Sequence, residues 1–134
     1  MEHALIKIYD LRDDLEKVRL IQKATLETKE SGLIPDHGLF GSSEWWHAVE
    51  EGIIPAISVD GVISQVFMSG HNDWPEFEID AAGTKTRWTR EGKDEMYKVG
   101  KRVTLKYVLQ KPKKVWLRDM KYDEMTLEIW VSPE

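Results

Sequence analysis

Charged and apolar residues alternate strictly in the stretch from Trp74 to Trp88, WPEFEIDAAGTKTRW. A period of two predicts strands with one buried and one solvated face. Gly83 accepts the positive φ that a tight turn between them requires. A turn centred on Ala82 and Gly83 predicts the cross-strand pairs Asp80 with Lys85, Glu78 with Arg87, and Phe77 with Trp88. Opposite charges then pair on the solvated face and two aromatic rings on the buried face, as in a stable hairpin.

Apolar spacings of three and four predict two helices within the first 52 residues of the chain. The first has one apolar stripe, formed by Leu11, Leu15, Val18 and Ile21 or Gln22. Asp13 and Asp14 open this helix, Asp13 and Glu16 resemble a capping box, and the helix runs to about Thr28. The second helix covers residues 44–51, with Ser42 or Ser43 as its cap and Gly52 as its stop. Its apolar arc consists of Trp45, Trp46, Ala48 and Val49.

The period returns to two after Pro55 and predicts a series of short strands. With a short lead-in strand near the N-terminus, the segments are 4–9, 57–59, 62–68, 76–80, 84–88, 101–109, 115–118 and 125–131. Asp60-Gly61 reads as a turn between the second and third of these. In 101–109 the pattern directs Val103, Leu105, Tyr107 and Leu109 to one side, and Arg102, Thr104, Lys106 and Val108 to the other.

These elements predict one α+β domain over residues 1–134. A helical cap segment over 1–52 precedes a small, mainly antiparallel β-barrel or curved sheet of about six strands over 53–134. The phrase VGKRVTLKYV, in which glycine precedes a basic alternating strand, looks like the tight corners of OB-like and SH3-like barrels. The second helix would then plug one end of the barrel or stack its indoles on a ligand.

The composition restricts the compartment and the chemistry. The chain has no cysteine, which excludes disulfides, thiolate catalysis and cysteine-based metal sites and fits a reducing compartment. The N-terminal stretch MEHALIKIYD lacks the features of a signal peptide. No apolar run approaches the roughly 18 residues of a membrane span. We therefore expect a soluble, cytoplasmic protein that does not enter a membrane.

The net charge of -5 is unevenly distributed. Residues 85–121 hold 13 basic and 4 acidic residues, a field that attracts anions. Arg102 and Lys106 lie on a solvated stripe of this segment, and Trp116 and Trp130 are out of phase with their apolar neighbours, as exposed indoles would be. Cations beside stacking aromatics suggest single-stranded nucleic-acid binding, although charge pairing within the hairpin would remove part of this field.

The loop Ser69–Pro75 carries the densest polar cluster: His71, Asn72, Asp73 and Trp74. His71 as a general base oriented by Asp73 would suit a hydrolase or lyase, but no nucleophile is defined by spacing. Under the alternative, Asn72 and Asp73 make turn hydrogen bonds and Trp74 anchors the loop by packing.

Histidines 37, 47 and 71, with Glu44 and Asp36, could be gathered into a metal site, but their spacing matches no known metal motif. No phosphate-binding glycine loop is present either. The sequence therefore predicts no catalytic residue, no metal and no cofactor. The favoured function is a non-catalytic binding module with a protein partner, and self-association is possible. Single-stranded nucleic-acid binding and a hydrolase or lyase are the alternatives.

Overall fold

A computed structural model describes residues 5–29, 32–67, 75–92, 94–111 and 123–133. Its helices are α1 (Leu15–Glu27) and α2 (Ser43–Glu50), with short 3-10 turns at Leu11–Asp13 and Asp94–Met96. Its strands are β1 (Ile6–Asp10), β2 (Ile57–Phe67), β3 (Glu76–Ala81), β4 (Thr84–Thr89), β5 (Arg102–Gln110) and β6 (Asp123–Val131). The predicted strand at 115–118 lies outside the described residues.

The strands form one antiparallel sheet in the order β1-β6-β5-β2-β3-β4. The predicted α+β class with about six strands is confirmed. The sheet does not close, so the open-sheet alternative holds, and the barrel with α2 as its plug is wrong. Neither helix in the described part of the chain combines the length and the apolar character needed to cross a membrane.

The hairpin of β3 and β4 has the predicted register. Phe77 pairs with Trp88, Glu78 with Arg87, and Asp80 with Lys85. The backbone turns at Ala82 (φ 52°) and Gly83 (φ 94°), the two positive angles of a type I′ turn. The charge pairing is diagonal rather than direct. Arg87 Nη1 lies 3.7 Å from a carboxylate oxygen of Glu76, while Glu78 accepts a hydrogen bond of 2.7 Å from the Ser64 hydroxyl.

The predicted turn at Asp60-Gly61 is wrong, because β2 runs through both residues without interruption. Gly61 lies where two strands come close. A Cβ added at Gly61 would sit 2.4 Å from the Asp80 carbonyl oxygen. Glycine at this position therefore permits a close backbone approach rather than a reversal of the chain.

The described residues form two compact units. The first comprises the described residues within Met1–Asp10, Ser58–Lys106 and Glu128–Glu134. Strand alternation fills its core, in which the Phe77 and Tyr97 rings lie 4.7 Å apart. The buried apolar side chains of this unit are Ile8, Tyr9, Ile63, Phe77, Ile79, Trp88, Tyr97, Val103, Leu105, Ile129 and Val131.

The second unit comprises the described residues within Leu11–Ile57 and Tyr107–Leu127 and contains both helices. Ser42, one of the two predicted caps, caps α2 by accepting a hydrogen bond from the Trp45 amide. Trp45 is buried, and its indole Nε1 donates to Gln110 Oε1 over 3.0 Å. The predicted apolar arc of α2 is therefore the face that packs into the core of this unit.

The first helix begins one residue later than its predicted capping box. Leu11–Asp13 forms a 3-10 turn, so Asp14 is the cap and accepts from the Lys17 amide. Leu15 is 75% exposed, which contradicts its place in the predicted stripe. The reason is that Leu11 lies outside α1, so the spacing from Leu11 to Leu15 is not a helical one.

The predicted alternation of β5 holds only in its first half. Val103 and Leu105 are buried, but further along the strand Val108 is buried and Leu109 is exposed, the opposite of the prediction. Val108 belongs to the core of the second unit, which decides the burial of this half of the strand.

Candidate functional site

Three of the predicted binding residues lie in the described chain: Arg102, Lys106 and Trp130. His71, Asn72, Asp73, Trp74 and Trp116 lie outside it, so their roles stay predictions. Arg102 and Lys106 are exposed, and Trp130 is half-buried. All three belong to the first unit.

Strand geometry places these three residues on one face of the sheet. Arg102 and Lys106 alternate with the buried Val103 and Leu105, so they share the solvated side of β5. The Lys106 ammonium lies 3.9 Å from a Glu128 carboxylate oxygen, which places Glu128 on the same side. Trp130, two residues further along β6, shares that side. We call this solvated side of the first unit the open face.

Glu128 connects the predicted residues on the open face. One of its carboxylate oxygens lies near Lys106 and also accepts a hydrogen bond of 3.3 Å from the Trp130 indole nitrogen. The Lys7 ammonium lies 5.5 Å from the centre of the Trp130 ring and 2.9 Å from an Asp10 carboxylate oxygen. The indole is therefore held between a carboxylate and a cation, with part of its surface in solvent.

An open trough of about 420 Å³ is also part of the first unit. In the wall of the trough, the Thr104 hydroxyl donates a hydrogen bond of 2.6 Å to a carboxylate oxygen of Asp60. Val62, also in the wall, is 41% exposed. Arg102 is held at its backbone, where its amide and carbonyl both bond to Ser132. The trough residues are Leu5, Asp60, Gly61, Val62, Arg102, Val103 and Thr104. It offers a shallow surface with apolar and charged parts.

The second unit also contains an indole with a cation over its ring, as Trp130 has, and the sequence did not identify this pair. The Arg12 guanidinium lies 4.0 Å from the centre of the half-buried Trp46 ring and 3.3 Å from a Glu50 carboxylate oxygen. Arg12 and Trp46 are 34 positions apart in the chain, so periodicity within either element gives no sign of this pair.

A narrower groove of about 160 Å³ also lies in the second unit. Ile34, Ile53 and Leu109 line it with exposed apolar side chains, and the Lys111 ammonium lies 3.8 Å from a carboxylate oxygen of Asp36 at its rim. Exposed Leu109 results from the phase change within β5, which explains why alternation did not predict this groove.

Three titratable groups of the second unit have shifted pKa values. Partial burial raises the pKa of Asp123 and the pKa of Glu124 above their ordinary values. The pKa of Tyr107 is raised by burial first and by the negative charge of Glu124 second. Desolvation disfavours the charged form of each group, so these carboxyls lower the stability of the fold when they are ionised.

Metal-assisted chemistry has no visible site among the described residues. No group of three or more histidines and carboxylates in those segments is placed to hold an ion. Exposed His47 lies 4.0 Å from a carboxylate oxygen of Glu51, one turn further along the chain.

A family model described as Immunity protein RhsI2 matches residues 5–132, almost the whole chain. The chain belongs to this family. No curated protein matches it. The family assignment confirms the predicted role as a protein-interaction module.

Proposed function

We propose that this chain binds a protein toxin and blocks its action, and that the open face around Trp130 makes the central contact. Membership in a family of immunity proteins supports the toxin-binding role, because an immunity protein protects a cell from a toxin. The cysteine-free composition supports an encounter in the cytoplasm.

The chemistry of the open face supports its part in binding. Tryptophan is enriched among the few residues that dominate protein–protein interfaces, where a ring of less critical contacts surrounds it. Trp130 is partly exposed, and its hydrogen bond to Glu128 fixes its orientation before a partner arrives. Such preorganisation lowers the entropy lost on binding.

The charges of the open face favour a protein partner over nucleic acid. Lys106 lies beside Glu128, Lys7 beside Asp10, and the trough contains Asp60. A protein surface meets such mixed charges with complementary ones. Phosphate backbones require several uncompensated cations instead. The basic residues at 113–121 lie outside the described chain.

The test is the affinity of the purified chain for its cognate toxin domain, measured by calorimetry. Trp130→Ala should weaken binding about 30-fold or more, which corresponds to a hot-spot loss of about 2 kcal/mol. Trp46→Ala is the matched control, because it removes another half-buried indole with a cation over its ring. We expect the control to stay within about threefold of the wild type.

Two negative results have different meanings. A wild-type chain that does not bind the toxin domain would refute the toxin-binding function itself. Wild-type affinity in a folded Trp130→Ala variant would refute only the assignment of the open face. Survival of cells that produce the toxin with each variant gives a second, independent measurement.

A further inference from the structure

The two edges of the sheet differ in what the described residues place against them. At the β1 edge, Gly92 lies so close that a Cβ on it would sit 2.2 Å from the Ile8 carbonyl oxygen. At the other edge, β4 pairs with β3. On its outer side no described backbone group bonds to it. Within the described segments, the outer backbone groups of β4 are therefore open, whereas Gly92 covers the β1 edge at Ile8.

The hairpin register identifies the outward groups of β4. In a two-residue hairpin the pair next to the turn, here Ala81 and Thr84, exchanges both backbone hydrogen bonds, and every second pair repeats this pattern. The amides and carbonyls of Lys85, Arg87 and Thr89 consequently point away from β3. The Asp80 carbonyl agrees with this pattern, because it points toward Gly61 of β2.

We propose that the β4 edge receives an extended acidic strand of the partner protein, which adds a seventh strand to the sheet. This inference rests on the proposed function for the existence of that partner. Strand addition supplies main-chain hydrogen bonds, and side chains at alternate positions supply the specificity. Here Lys85 and Arg87 occupy alternate positions beside the outward amides.

The same two cations disfavour a second copy of this chain as the added strand. Antiparallel pairing of two β4 strands about Thr86 would place Lys85 opposite Arg87 twice, and like charges directly opposite each other destabilise a sheet. Charged edge residues are a common protection against such self-pairing. An acidic strand would instead bring a charge opposite to that of the exposed Lys85.

The Arg87 side chain is turned away from the edge. Its guanidinium lies 3.6 Å from the centre of the Phe67 ring, in addition to its contact with Glu76. The side chain thus extends inward over β3 and β2 and does not itself cover the Arg87 backbone amide at the edge. A strand arriving at β4 meets three outward amides and the exposed side chain of Lys85.

Amide hydrogen exchange in the complex with the cognate toxin domain tests the proposal. The amides of Lys85, Arg87 and Thr89 should exchange at least about tenfold more slowly in the complex. The amides of Thr86 and Trp88 face β3, so they should be protected in the free chain already. This alternating pattern separates strand addition from side-chain contact.

A matched pair of variants isolates the backbone contribution. Lys85→Ala removes the charge and keeps the amide, whereas Lys85→Pro removes both and leaves the β3–β4 hydrogen bonds intact. We expect Lys85→Pro to bind about tenfold more weakly than Lys85→Ala, because it loses an edge hydrogen bond and its ring obstructs the added strand. Retained protection at Thr86 and Trp88 verifies the fold of each variant.

A complex that forms without slower exchange at the three outward amides would overturn the strand addition and leave toxin binding intact. Equal affinities of the two Lys85 variants would overturn it as well. Failure of the wild-type chain to bind the toxin domain would overturn both the proposed function and this inference.

Discussion

Replacement of Ala82 by asparagine should stabilise the protein. Ala82 has φ 52°, in the left-handed region that costs an ordinary L-residue about 1–2 kcal/mol. Asparagine tolerates this region, and Asn-Gly is the preferred pair of a type I′ hairpin turn. Ala82 is exposed, so the new amide meets no packed neighbour. We expect Ala82→Asn to raise the free energy of unfolding by about 0.5–1 kcal/mol.

The neighbouring position supplies a control with the opposite sign. Gly83 has φ 94°, and a Cβ added to it would have no heavy atom within 4 Å. Any effect of Gly83→Ala therefore comes from the backbone rather than from a clash. We expect this variant to lower the free energy of unfolding by about 1 kcal/mol or slightly more.

Urea denaturation followed by tryptophan fluorescence measures both effects, and an unchanged m-value ensures that the midpoints report stability. For a chain of 134 residues, 1 kcal/mol corresponds to a Tm shift of about 3–6 °C. A destabilised Ala82→Asn variant, or a Gly83→Ala variant as stable as the wild type, would refute the type I′ geometry.

Three further predictions concern stability away from the turn. Gly61→Ala should lower the free energy of unfolding by about 2 kcal/mol in urea, because its Cβ would meet the Asp80 carbonyl at 2.4 Å; a neutral effect would contradict the close approach of β2 and β3. Trp45→Phe should cost about 2 kcal/mol in the same assay, through the lost indole volume and the unpaired Gln110 oxygen, and a loss below about 0.5 kcal/mol would contradict the burial of this ring. Asp123→Asn should raise Tm at pH 7, because burial raises the pKa of this carboxyl in the folded chain, so ionisation above that pKa is destabilising. The advantage should disappear as the pH falls below the ordinary value of 3.8, and an advantage independent of pH would contradict desolvation as the cause.

Local patterns were sufficient where the residues that decide a structure are neighbours in the chain. The hairpin register follows from alternation about one glycine-containing turn, and the structure has all three predicted register pairs, although the ion pair of Arg87 is with Glu76. The cap of α2 follows from a serine three residues before Trp45. In both cases the interacting groups are close in sequence, so the chain itself restricts their geometry.

Local patterns failed where burial depends on distant residues. Asp60-Gly61 has the composition of a turn, but the approach of Asp80 makes it part of a continuous strand. Leu109 has the phase of a core residue, yet it is exposed beside Ile53 in a groove of the second unit. No local period contains information about these partners.

The candidate site also combines residues that the sequence identified with one that it did not. The sequence identified Arg102, Lys106 and Trp130 as solvated residues because each is out of phase with buried neighbours. It did not identify Glu128, which lies beside both Lys106 and Trp130 and joins them into one surface. Its contact with Lys106 requires the pairing of strands that are separated along the chain.

The sequence alone determined the α+β class, the hairpin register, the helices and the absence of cysteine chemistry. Each depends on the period, the residue type or a contact over a few positions. Only the tertiary structure decided that the sheet stays open, which of its edges is covered, and how cations and carboxylates share one face. These features depend on strand order and on approaches between distant segments, and a one-dimensional pattern does not encode them.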